Sequence, residues 1–116
     1  MNDRTQVRLS PQCRAILERW KASKQIGDML DGYRLGIAVA LAVGQEPTEM
    51  PQNSVTYISA STLDPDGEIR VVVKLLSGNT EYGEYYLCEL LADQGVKYLN
   101  DKFPDGRIDF GRLLPE

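Results

Sequence analysis

Nine consecutive apolar residues, Leu35 to Val43, constrain this chain more than any other feature of it. They lie in a helix-forming stretch that begins near Met29, and they leave no face of that helix polar. A helix that is apolar all round is buried all round. A chain of 116 residues fits one compact domain and has little to spare for wrapping. Cover is therefore expected from two sources together, the C-terminal half of the same chain and a second copy. Gly36, Ala38, Ala40 and Ala42 are small enough to let another backbone come close. Gly44 ends the helix, and Pro47 and Pro51 bracket a turn-rich connector.

Upstream, Thr5, Val7 and Leu9 alternate with Gln6 and Arg8, which is the period of a half-buried strand. So short a strand leaves its backbone groups unpaired and needs a partner, for which a second copy of the chain is the economical source. Ser10-Pro11 starts a helix, with Ser as N-cap and Pro at the first helical position. Cys13, Ile16, Leu17 and Trp20 then form the apolar stripe of an amphipathic helix from Ser10 to about Lys24. Gly27 stops it and Asp28 caps the next.

In the second half, Val55–Ser59 reads as a strand and Asp64-Pro-Asp-Gly67 as a turn. Valine-rich Ile69–Leu76 reads as a second strand, making a hairpin with the first. Glu81 to about Lys102 reads as a helix with Gly95 as its point of interruption. The tail residues Ile108, Phe110, Leu113 and Leu114 are expected to pack back on the domain. The expected fold is α+β. A ribbon-helix-helix-like unit of one short strand and two helices, residues 1–47, is followed by an α+β part, residues 48–116, with a strand pair and a C-terminal helix packed on it as a single compact domain.

Net charge is −4, but residues 1–45 carry +3 and the remainder −7. The asymmetry suggests an anion-facing N-terminal half and an acidic C-terminal half. Overall acidity argues against a protein that coats nucleic acid without specificity, because such binding rests on Lys and Arg neutralising phosphates. There is no histidine, and Cys13 and Cys88 stand in separate elements. Hydrolase triads and His-ligated metals are excluded, the cysteines read as small buried hydrophobes, and no metal or cofactor is expected. Glu81, Glu84, Glu89 and Asp93 read as a solvated helix face rather than acid–base machinery. The tyrosines at 57, 82, 85, 86 and 98 read as core residues with their hydroxyls at the edge. No signal peptide or membrane-length apolar run is visible, so a cytoplasmic location without membrane association is expected. The chain does not read as an enzyme.

Strand, helix, helix is the order of a ribbon-helix-helix unit, in which two chains pair their strands and lay the ribbon in the major groove of DNA. On that reading Arg4, Gln6 and Arg8 reach base edges, Arg suiting guanine and Gln adenine. Lys21 and Lys24 contact the backbone. Val7, Leu9, Gly36, Ile37 and Ala40 form the oligomer interface. The N-terminus of the second helix is a poor phosphate site, since Asp28 and Asp31 place negative charge there.

Val7-Arg-Leu-Ser10, the helix ending in Trp20-Lys21, and the apolar helix closing with Ala40-Leu-Ala-Val-Gly-Gln-Glu-Pro-Thr48 resemble the N-terminal half of the small E subunit of the Dnd DNA-phosphorothioation systems. Val73-Lys-Leu-Leu-Ser-Gly78 and Gln94-Gly-Val-Lys-Tyr-Leu99 are similar to that family's second half. The resemblance implies a ribbon-helix-helix-related dimer or tetramer that binds DNA, with a preference for nicked duplex. It also implies protein partners in a complex that replaces a backbone oxygen by sulfur, the chemistry belonging to those partners. Of the family's basic stretch, Lys21 and Lys24 correspond in this sequence. The alternative from the charge split is a ribbon-helix-helix repressor or antitoxin whose acidic C-terminal part binds a partner protein.

Overall fold

The computed structural model describes residues 5–79 and 81–109. Arg4, Phe110, Leu113 and Leu114 lie outside the described residues. The elements in chain order are β1 (Gln6–Leu9), α1 (Pro11–Ala22), α2 (Met29–Ala42), β2 (Val55–Ser59), α3 (Ala60–Leu63), α4 (Glu68–Ser77) and α5 (Glu84–Lys102).

Local chemistry sets the first two helices. Ser10 is extended and accepts the Cys13 N–H, and Pro11 follows at a position where no N–H is needed. Cys13, Ile16, Leu17 and Trp20 are buried, as their spacing requires. Asp28 and Asp31 close a capping box on α2, each carboxylate accepting the other residue's backbone N–H.

α5 is the centre of the molecule. It runs uninterrupted through Gly95, and ten of its residues, Leu87 to Leu99, are buried. α2 lies across it at a contact of backbone on backbone. A Cβ at Gly36 would stand 2.7 Å from the Ala92 carbonyl oxygen, and one at Gly95 would overlap the Gly36 carbonyl and stand 2.8 Å from its Cα. Gly95 is thus the residue that lets the helices meet, not an interruption. Ile37, Val39 and Ala40 are sealed by this packing, whereas Ala38 and Ala42 remain exposed. The apolar helix is covered by its own chain on all but that one side.

The sheet departs from expectation in two ways. Ile69–Leu76 is not a strand but most of α4, and the hairpin does not form. A run of valines favours strand locally, but the N-terminal N–H groups of α4 are capped from a distance. Asp64 accepts from Ile69 N (2.9 Å) and Arg70 N (3.1 Å), across the left-handed Gly67. The strand partner of β2 is β1 of the same chain, antiparallel, with Gln6 opposite Ser59 and Leu9 opposite Val55.

The other edge of β1 is closed as well. The Arg8 N–H donates to Glu89 Oε1 (3.2 Å) and the Arg8 carbonyl accepts from the Tyr33 hydroxyl (2.9 Å). The pairing of β1 seen here is therefore within the chain, with β2, where the sequence reading looked to a second copy. Val7 and Leu9, named above for an oligomer interface, are buried in the chain's own core, as are Gly36, Ile37 and Ala40. Ile108 is buried, in keeping with a tail that packs back.

Candidate nucleic-acid interface

The residues expected to meet DNA do not stay together. Gln6 is exposed on β1. Arg8 is turned inward. Its Nε and Nη2 each lie 2.8 Å from Glu89 Oε2, and Glu89 is fully buried. Glu89 is thereby a structural counter-ion rather than part of a solvated face, and Arg8 is not offered to a base. Asp93 is buried too. It accepts the Ser10 hydroxyl (2.5 Å) and pairs with Lys97 (2.7 Å). The signal for these two acids was available only in part. Asp93 and Lys97 stand one turn apart with opposite charge, but nothing local marks Glu89.

Beside this polar seam lie Cys13 and Cys88, both buried and not joined in a disulfide. Burial first, and then the Asp93 charge, push the Cys13 thiol up to about 12, against the opposing effect of Lys97. Burial, with Glu89 next, raises Tyr33 well above its ordinary value. Tyr85 donates to Asp64 Oδ2 (3.0 Å). Burial and that hydrogen bond raise Tyr85 to about 12. Burial alone would raise Asp64, but the N–H groups of Ile69 and Arg70 and the Tyr85 hydroxyl outweigh it and hold the carboxyl below its ordinary range. Tyr33, Tyr85 and Asp64 sit in hydrogen bonds that hold elements together. Among the described residues no three His, Cys, Asp or Glu side chains are grouped to hold a metal ion.

The start of α2 is closed to phosphate, because Asp28 Oδ1 already takes the N–H groups of Leu30 (2.7 Å) and Asp31 (3.2 Å). The opposite situation holds at the end of α1. Lys21 and Lys24 are exposed and make no ion pair among the described residues. Arg19 donates to the Asn100 side-chain oxygen, tying the last turns of α1 to α5. The Ile108 N–H donates to Gln25 Oε1 (3.1 Å), which brings the segment carrying Arg107 beside the one carrying Lys24. Arg107 was not singled out from the sequence, and no local pattern connects it to Lys24.

Lys24 is also the one described residue other than glycine with positive φ, at 64°. It occupies the left-handed position that ends α1, where Gln25 N returns to the Trp20 carbonyl (2.8 Å). Glycine is the residue this turn favours. A lysine there is held at a cost of about 1 kcal/mol. Cations at a helix C-terminus offset the dipole, but that benefit does not need a lysine in the strained position, since Lys21 is already in the last turn.

No protein-family model, curated protein or solved structure matches this chain. No helix among the described residues is long and apolar enough to cross a membrane.

Proposed function

We propose that the chain is a non-catalytic, DNA-contacting accessory subunit of a DNA sulfur-modification (phosphorothioation) assembly, the role its sequence resemblance implies. Contact is made to the phosphate backbone from the C-terminal end of α1, and not by a ribbon shared between two chains. The observation that carries this reading is Lys24. An exposed lysine sits where glycine would be more stable, next to Lys21 and to Arg107 on the neighbouring segment. Strained backbone positions cluster at functional sites, which supports a use for this side chain. The repressor or antitoxin alternative draws on the acidic second half, but it needs β1 to pair between chains, and β1 pairs with β2 of its own chain.

The test is a fluorescence-polarisation titration of intact and nicked duplex at two salt concentrations. Wild type is compared with Lys24→Gly and with Lys21→Ala/Lys24→Gly. Lys24→Gly is expected to raise thermal stability while weakening binding. The double variant is expected to lower the salt slope by about 2, one for each phosphate contact removed. A preference for nicked duplex favours the modification subunit over a repressor. Absence of salt-dependent binding by wild type, or binding unchanged in the double variant, refutes the reading.

A further inference from the structure

α4 has a wider apolar face than its own chain uses. Only Val73 is buried, with Ile69 partly so. Around the helix from these two, Leu76, Val72, Leu75 and Val71 follow as an apolar arc that only Glu68, in the first turn, interrupts; Lys74, Arg70 and Ser77 occupy the remainder. The four are 67, 44, 74 and 50 % exposed. Alongside them, between α4 and α2, runs an apolar groove of about 320 Å³, floored by Ala38, Leu41, Ile69 and Val72 with Arg34 and Glu68 at one end. This is the side on which the apolar helix α2 is left uncovered.

We propose that this face is where a second copy of the chain docks, with the two α4 helices antiparallel about a two-fold axis. Area is the first argument. The four side chains leave roughly 400 Å² of apolar surface in water, at the level that marks an interaction site. A standard interface buries about 800 Å² per partner, roughly 60 % of it apolar. One α4 arc therefore supplies most of the apolar area such an interface needs.

Shape is the second argument. The face carries a ridge, Leu75 and Leu76, and a groove beside it. An isologous pairing uses both twice, each ridge entering the other copy's groove. A different partner would need only one of them. The surface lies on α4 and α2, whereas the lysines of the DNA reading lie at the C-terminal end of α1, so the two proposals stand or fall separately.

Sedimentation velocity of the whole chain, from low to high micromolar concentration, tests this. Wild type is expected to dimerise. Leu75→Glu/Leu76→Glu changes two exposed side chains and is expected to leave the circular dichroism spectrum unaltered. It is expected to raise the dimer dissociation constant at least about a hundredfold. A wild-type chain that stays monomeric, whether or not it binds anionic vesicles through α4, overturns the proposal. So does a dimer that survives the two leucine substitutions.

Discussion

Gly95→Ala tests the packing at the centre of the molecule, because two physical effects oppose each other there. In a helix that touches nothing, alanine in place of glycine adds about 1 kcal/mol of stability. Here the added methyl group would overlap the Gly36 carbonyl and stand 2.8 Å from the Gly36 Cα. These are backbone atoms of a second helix, and they cannot swing aside as a side-chain tip can. Overfilling a packed core costs about 1–3 kcal/mol, and more where backbone must shift. Parting α2 from α5 would also loosen Val96 and Ala92, which line the same contact. Overlap therefore wins, and the expected net loss is about 2 kcal/mol or more. For a chain of this size that is a fall in Tm of about 8 °C. Urea unfolding followed by far-UV circular dichroism measures it, with an unchanged m-value showing that the folded state is otherwise the same. Gly36→Ala should behave similarly, and the double variant should cost less than the sum, since both changes act on one contact. A Gly95→Ala protein as stable as wild type, or more stable, would refute the close crossing of α2 and α5.

Two further predictions follow from the buried polar groups. Arg8→Met leaves the buried Glu89 carboxylate without its guanidinium and should cost about 3–5 kcal/mol in urea unfolding. Arg8→Met/Glu89→Gln, which keeps an acceptor for the Arg8 N–H, should recover more than half; equal losses in the two variants would show that the ion pair is not what Arg8 supplies. The Asp64 carboxyl lies below its ordinary value of 3.8 in the folded chain, so as pH falls the unfolded state takes up this proton first. Its contribution is complete above the unfolded value and is lost as pH falls through the lowered folded one. Asp64→Ala, which removes the α4 cap at a cost of about 1–2 kcal/mol, should flatten that acid limb of the stability–pH curve; an unchanged limb would place the acid sensitivity elsewhere.

What could be read from the sequence follows the range of the interactions involved. Ser10-Pro11 and Asp28 announced α1 and α2 because a cap and the helix it starts are neighbours in the chain. β2 was visible as Val55–Ser59 for the same local reason. α4 was hidden because its cap, Asp64, sits within what looks like a hairpin turn, four residues ahead of the helix, while Val71-Val72-Val73 advertises a strand. The β1–β2 pairing, the burial of Glu89 and the meeting of Gly36 with Gly95 all join residues far apart in sequence, and single residues carry no mark of them. Of the candidate site, Lys21 and Lys24 could be named from their charge. The strain at Lys24 could not, since lysine is no signal for a left-handed turn, nor could its approach to Arg107, which depends on where the chain returns after α5.

That return has a consequence for how the fold is assembled. Arg8 is bound by a residue 81 positions away and Ser10 by one 83 positions away, so the first strand and the first helix cap are completed only by the last helix. Closing so long a loop costs entropy before any contact repays it, and folds dominated by such closures form slowly. During synthesis the N-terminal strand and helices must wait, with Leu9 and Trp20 unsheltered, until α5 has left the ribosome. Cutting the chain at the connector near Pro47 would accordingly give two fragments that fold only in each other's presence.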